Sequence, residues 1–166
     1  MKLSKKQLTD IAESIDAGFI CYLNAETGEY IEMMNNDAMS NYGISWEEEE
    51  DEEPGDFSHQ WEKELYDDVK SDMAKIDSWE HAIKIEKPES HESFKIMERF
   101  VDEIIPDGKL KNDFFCALSR SHPFRNFNAL VHNCKYREDW FAFKQNAIEE
   151  YVRAMIDEYV SLHLNK

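Results

Sequence analysis

From residue 90 to residue 162 apolar side chains return at helical spacing with only short interruptions. That rhythm restricts the second half of this chain to packed helices. Residues 90–105 put Phe94, Met97, Val101 and Ile104 on one stripe, and Pro106-Asp107-Gly108 stops it. Residues 109–120 align Leu110, Phe114, Ala117 and Leu118. Pro123 then stands where a first helical residue has no use for its N–H, and Phe124, Phe127, Leu130, Val131 and Cys134 follow. The last helix, about 136–162, carries a wide apolar face from Trp140, Phe141 and Phe143 through Ala147, Ile148, Tyr151, Val152, Met155, Ile156, Tyr159 and Val160. A stripe that broad predicts a helix central to the fold, or one that meets a second copy in a homodimer.

Ahead of residue 90 the period alternates between helix and strand. Ser4 and Gln7 match a capping box, Leu3 and Leu8 a hydrophobic staple, and Leu8, Ile11, Ala12 and Ile15 share a face that Gly18 terminates. Residues 19–34 read as a β-hairpin about the turn Asn24 to Gly28, with Phe19, Cys21 and Leu23 on one face. Ser58 can cap a helix in which Trp61, Leu65, Val69, Met73 and Ile76 repeat, with Asp67, Asp68 and Asp72 outward. Trp79, His81, Ile83 and Ile85 then alternate with Glu80, Ala82, Lys84 and Glu86, the period of a half-buried strand, until Pro88. The expected fold is α+β: one domain over 1–166 in which a small three-stranded antiparallel sheet, hairpin plus one strand, has about six helices against one face and a helical C-terminal half. Trp61, Trp79 and Trp140 belong to the expected core.

Residues 35–58 break the pattern. Glu47 to Glu53 are seven acids in a row, which repel one another and read as a solvated loop or insertion. The formal net charge is −17, and −10 remains without that run, so the acidity is general. Such a chain repels duplex nucleic acid and anionic membrane, and points instead to a basic protein partner. With 166 residues, 42% of them apolar, it can bury a core without disulfide or metal staples. Its three cysteines, Cys21, Cys116 and Cys134, lack CxxC spacing and sit among apolar neighbours, which suits small buried hydrophobes in a reducing cytoplasm. No stretch approaches the roughly 20 apolar residues that span a bilayer.

The blocks PESHESFKIMERF (88–100), PFRNFNAL (123–130) and WFAFK (140–144), in that order and spacing, resemble a family of small acidic bacterial proteins catalogued as uncharacterised. The resemblance runs from about residue 5 to about residue 155 and is weakest across 35–58. It implies a cytoplasmic bacterial domain and carries over no catalytic residue.

Two clusters of side chains could hold chemistry. Ser90, His91 and Glu92 open a helix and could act as a polar or acid/base site; the competing reading is capping, with Ser90 accepting from a free N–H and Glu92 at the positive end of the helix dipole. No HExxH spacing supports a metal there. The second cluster is Arg120, His122 and Arg125, at the start of a helix. From Asp107 to Lys144 seven basic residues face four acidic ones, the one basic island of the chain. Two arginines beside a helix N-terminus can hold phosphate or carboxylate, and Phe124, Phe127 and Tyr136 could stack the bases of single-stranded RNA. The competing reading has the island covered by the chain's own carboxylates. His59, His81, His132 and His163 show no ligand spacing, Glu47–Glu53 lacks the pattern of a calcium loop, and GxGxxG, GxxxxGK[ST] and GxSxG are missing. No cofactor or metal is therefore expected. The reading in front is a non-enzymatic interaction or regulatory protein with an acidic surface. An anion-, phosphate- or single-stranded-RNA-binding protein using Arg120 and Arg125 is the alternative, and an enzyme using His91 and Glu92 a further one.

Overall fold

The computed structural model describes residues 3–35 and 59–164. Nearly all of the acidic stretch 35–58, including Glu47–Glu53, lies outside the described residues. These residues form helices α1 (Lys5–Asp16), α2 (Gln60–Asp77), α3 (Ser90–Ile104), α4 (Lys109–Ser119), α5 (Pro123–His132) and α6 (Arg137–His163), and strands β1 (Phe19–Asn24), β2 (Tyr30–Met34) and β3 (Ala82–Ile85). The fold is α+β with a helical C-terminal half. Two compact units divide the chain: residues 1–87 with 154–166, and residues 88–153.

The first unit is built on an antiparallel sheet in the order β2-β1-β3. Its local signals act as the residue types dictate. The Ser4 hydroxyl accepts from the Gln7 N–H while Gln7 Oε1 accepts from the Ser4 N–H, the reciprocal capping box. Gly18, at φ 99°, takes the left-handed step out of α1. Gln7 also reaches across to donate to the Gly28 carbonyl, which ties α1 to the hairpin turn.

Cys21 and Leu23 of β1 stand opposite Ile85 and Ile83 of β3, and all four are buried. Phe19 shares their parity but is 40% exposed at the strand's end. The sheet is not one-sided, contrary to the expectation of helices against a single face. Ile20 and Met33 are paired across β1 and β2 on the opposite face and are buried as well. β1 is the central strand, hydrogen-bonded along both edges, and Ile20 and Met33 show that its second face is covered at this end too.

Ser58, the expected cap of α2, lies outside the described residues. His59 is the N-cap of the helix, and Glu62 Oε2 accepts from the His59 N–H at 3.1 Å. Trp61 is not core: it is 47% exposed in the first turn, with the His59 ring stacked 6.2 Å away. Leu65, Val69 and Met73 are half-buried and Ile76 is buried, so the stripe deepens toward the C-terminal end.

The second unit has an aromatic core. Phe100, Phe114 and Phe127 are fully buried and Trp140 nearly so. Phe100 meets Trp140 at 5.1 Å and Phe143 at 5.6 Å between ring centroids, and Phe127 meets Trp140 at 4.7 Å, all steeply inclined. Such edge-to-face pairs add about 0.5–1.5 kcal/mol each beyond the area they bury. Met97, Val101, Ile105, Leu118 and Val131 complete the cluster. Along this unit's part of α6, Trp140, Ala147, Ile148 and Val152 are buried, whereas Phe141 is 41% exposed with Arg137 over its ring. No helix among the described residues is long and apolar enough to cross a membrane.

Candidate anion-binding cavity

The corner between α4 and α5 decides the site. Helix α4 ends at Ser119, and the chain reverses within Arg120-Ser121-His122 before Pro123 begins α5. The reversal requires a left-handed residue, and His122 supplies it at φ 58° and ψ 52°. An L-residue with a branched or bulky side chain is strained there, so the position is set by the turn. Asn126, one turn into α5, reaches back and donates through Nδ2 to the Ser121 carbonyl at 2.8 Å. That bond holds the corner against the helix it introduces.

The geometry opens a cavity of about 620 Å³ whose lining includes Arg120, His122, Arg125, Cys116, Asn126 and Asp113. All three residues of the basic cluster thus face one space. Among the described residues, no carboxylate comes within ion-pair distance of Arg120 or Arg125. The one acid on the wall, Asp113, is paired with Lys109 at 3.0 Å. Among the described residues, then, none of the protein's own carboxylates covers these two arginines. Other members of the island are covered: Lys109 pairs with Asp113, and Lys111 lies between Asp102 and Asp107.

The cavity can hold a small anionic group. Two guanidiniums offer planar forked donors that match phosphate or carboxylate oxygens. Pro123 has no N–H, so the next free backbone donors of α5 come from Phe124 and Arg125, at the positive end of the helix. The structure removes most of the stacking surface an RNA strand would need. Phe127 is fully buried in the aromatic core, and Tyr136 is half-buried with Lys135 over its ring. Phe124 alone of the three is well exposed, and it leans edge-on toward Phe94. Cys116 is exposed on the cavity wall rather than buried, and Cys134 is half-buried, so the expectation of three buried thiols holds for Cys21 alone. Cys116 lies on the solvent side of α4, one turn before Arg120.

Ser90, His91 and Glu92 lie in the first turn of α3. Glu89 is the N-cap of α3 and Ser90 its first helical residue, so the capping role assigned to the Ser90 hydroxyl is not realised. Glu92 Oε2 accepts from the Glu89 N–H at 3.3 Å. His91 is exposed, with Nδ1 3.3 Å from the Glu89 carboxylate. This is a helix terminus that satisfies its own backbone.

The sequence pattern of an uncharacterised protein family, UPF0158, matches residues 58–161. This chain belongs to that family. The match covers α2 through most of α6, including the cavity, and takes in the three blocks quoted above. It begins at residue 58 rather than near residue 5, so the hairpin β1–β2 precedes the region this UPF0158 chain shares with its family. No curated protein and no solved structure matches it.

One constellation escaped the sequence reading. Glu26, Glu80 and His81 bring their ligand atoms within 4.8 Å of one another in the first unit. Linear spacing carries no sign of it, because Glu26 and His81 meet only through strand pairing.

Proposed function

We propose that this protein is a non-enzymatic binding module that takes the phosphate or carboxylate group of its ligand into the α4–α5 cavity. The observation that carries the reading is the convergence of Arg120, His122 and Arg125 on one cavity with both guanidiniums unpaired among the described residues. In a chain of net charge −17, intramolecular pairing of every arginine would be easy to satisfy. Two arginines with no carboxylate partner among the described residues, at a helix start, fit a ligand better than a structural role. The small aromatic surface favours a discrete anionic group over a stacked RNA strand. Three free cysteines are compatible with a reducing compartment such as the cytoplasm, which this reading assumes. The acidic remainder of the surface serves solubility and repels competing polyanions.

The test is a titration of the full chain with inorganic phosphate and with a short 5′-phosphorylated single-stranded oligonucleotide. Backbone NMR shifts report the site. Shifts centred on residues 120–126 are expected, and they vanish in the Arg120→Glu, Arg125→Glu double variant. Unmutated protein that shifts with neither probe sinks the proposal. Tighter binding of the oligonucleotide than of phosphate, lost on Phe124→Ala, would move the reading to single-stranded RNA.

A further inference from the structure

We propose that Glu26, Glu80 and His81 form a site for a divalent transition-metal ion of the Zn²⁺ type, separate from the anion cavity. Two segments far apart in sequence supply the donors. Glu26 lies in the β1–β2 turn, and Glu80 and His81 immediately precede β3. The backbone holds these segments together. Ala25 donates its N–H to the His81 carbonyl at 2.8 Å, and Asn24 pairs with Ala82 at the end of the β1–β3 ladder. The buried Asn24 side chain then shapes the turn, accepting from the N–H groups of Glu26 and Thr27 at 2.9 and 3.1 Å. The donors sit in turn residues directly beside the paired ends of β1 and β3, and the Ala25–His81 hydrogen bond limits how far the two segments can separate.

The ligand atoms all lie within 4.8 Å of one another. Around a tetrahedral zinc, donor atoms about 2.0–2.2 Å from the ion sit about 3.3–3.5 Å apart, so small side-chain rotations close the set. Electrostatics favours a cation. Glu26 and Glu80 place two like charges together, and no lysine or arginine pairs with either among the described residues. The lysines of the adjoining elements are committed elsewhere, Lys75 to Glu29 and Lys84 to Glu86. The imidazole separates this from an ordinary acidic patch. Nitrogen plus two carboxylates suits zinc and its neighbours, whereas magnesium and calcium select oxygen alone. The edge of His81 also meets the Tyr159 ring at 6.4 Å, which limits the orientations the imidazole explores. Glu26 and Glu80 are exposed and His81 half-buried, so remaining coordination positions open to water or to a ligand atom from outside.

Calorimetric titration of the full chain with Zn²⁺, and separately with Mg²⁺ and Ca²⁺, tests the site. One Zn²⁺ per chain is expected, with weaker binding of the other two ions. Glu26→Gln and Glu80→Gln alter exposed side chains without changing their size, and His81→Phe keeps a ring against Tyr159 while removing the nitrogen donors. Each should weaken Zn²⁺ binding by at least about 10-fold. Circular dichroism should show the fold unchanged, and the Arg120→Glu, Arg125→Glu variant should bind Zn²⁺ as the parent does. Absence of Zn²⁺ binding overturns the proposal. So does Mg²⁺ or Ca²⁺ binding as tight as Zn²⁺, or Zn²⁺ binding unchanged by all three substitutions.

Discussion

Ala25 and His81, far apart in sequence, are joined by a direct hydrogen bond from the Ala25 N–H to the His81 carbonyl at 2.8 Å. The bond extends the β1–β3 pairing past its last ladder residue and closes the hairpin turn against the approach to β3. Asn24 is the element that makes this possible, because its buried side-chain oxygen satisfies two turn N–H groups at once. Asn24→Ala should therefore destabilise the protein by about 1–3 kcal/mol, since two backbone donors lose their acceptor. Urea denaturation of the two proteins measures it, and a change under about 0.5 kcal/mol would mean that water replaces the side chain.

The Cys21 thiol predicts how stability varies in alkali. Its burial pushes the pKa from 9.0 up to about 11; the Ser14 hydroxyl acts the other way, and Glu32 adds a smaller upward push. Ser14 Oγ is buried and meets no hydrogen-bond geometry among the described residues, so its help to a thiolate is slight. A raised pKa means that the folded state holds its proton while the unfolded state releases it. The contribution is complete below about pH 9 and is lost as pH climbs through about 11. Denaturation midpoints across that window should fall more steeply for the parent than for Cys21→Ala. Parallel curves would show that the thiol does not ionise differently in the two states.

Phe127 and Phe115 separate core from surface in the second unit. Phe127 is fully buried between Phe100, Phe114 and Trp140, and Phe127→Ala should cost about 3–5 kcal/mol. Phe115 is 42% exposed on the other side of α4, and Phe115→Ala should cost less than about 1 kcal/mol. Thermal or urea unfolding gives both numbers, and equal losses would contradict the packing described.

His122 offers a clean probe of the cavity, because its backbone is left-handed at φ 58°. Glycine adopts that conformation without steric cost, so His122→Gly removes the imidazole and leaves the corner intact. The variant should unfold no earlier than the parent, within about 0.5 kcal/mol or better. Phosphate should bind at least about 3-fold more weakly if the imidazole contributes a hydrogen bond to the anion. Unchanged phosphate affinity would leave Arg120 and Arg125 as the whole of the site.

Legibility followed the range of the interaction. The Ser4–Gln7 box, the Pro123 start and the stripes on α3 to α5 are decided within a turn or two of helix, and each reads directly from spacing. The basic cluster was legible for the same reason: Arg120, His122 and Arg125 fall within six positions, and one turn turns all three toward one cavity. Trp61 misled because an aromatic at the right period carries no mark of what stands opposite it. Ser90 misled because neighbouring residues can cap too, and the backbone picked Glu89. Phe127 misled in the other direction. It was offered as a stacking surface, yet it lies at the centre of an aromatic core drawn from four helices.

By itself, the order of residues determined the α+β class, the positions of the helices and strands, the acidity and the single basic island, because these depend on periodicity, caps and charge counts. Only the tertiary structure decided that Arg120 and Arg125 face one cavity, without a carboxylate partner among the described residues, and that Glu26 meets His81. Both depend on which surfaces come together, and no local pattern records that. A charge is satisfied or left open by its neighbours in space, and strand pairing chose those neighbours for Glu26 while the α4–α5 corner chose them for the arginines.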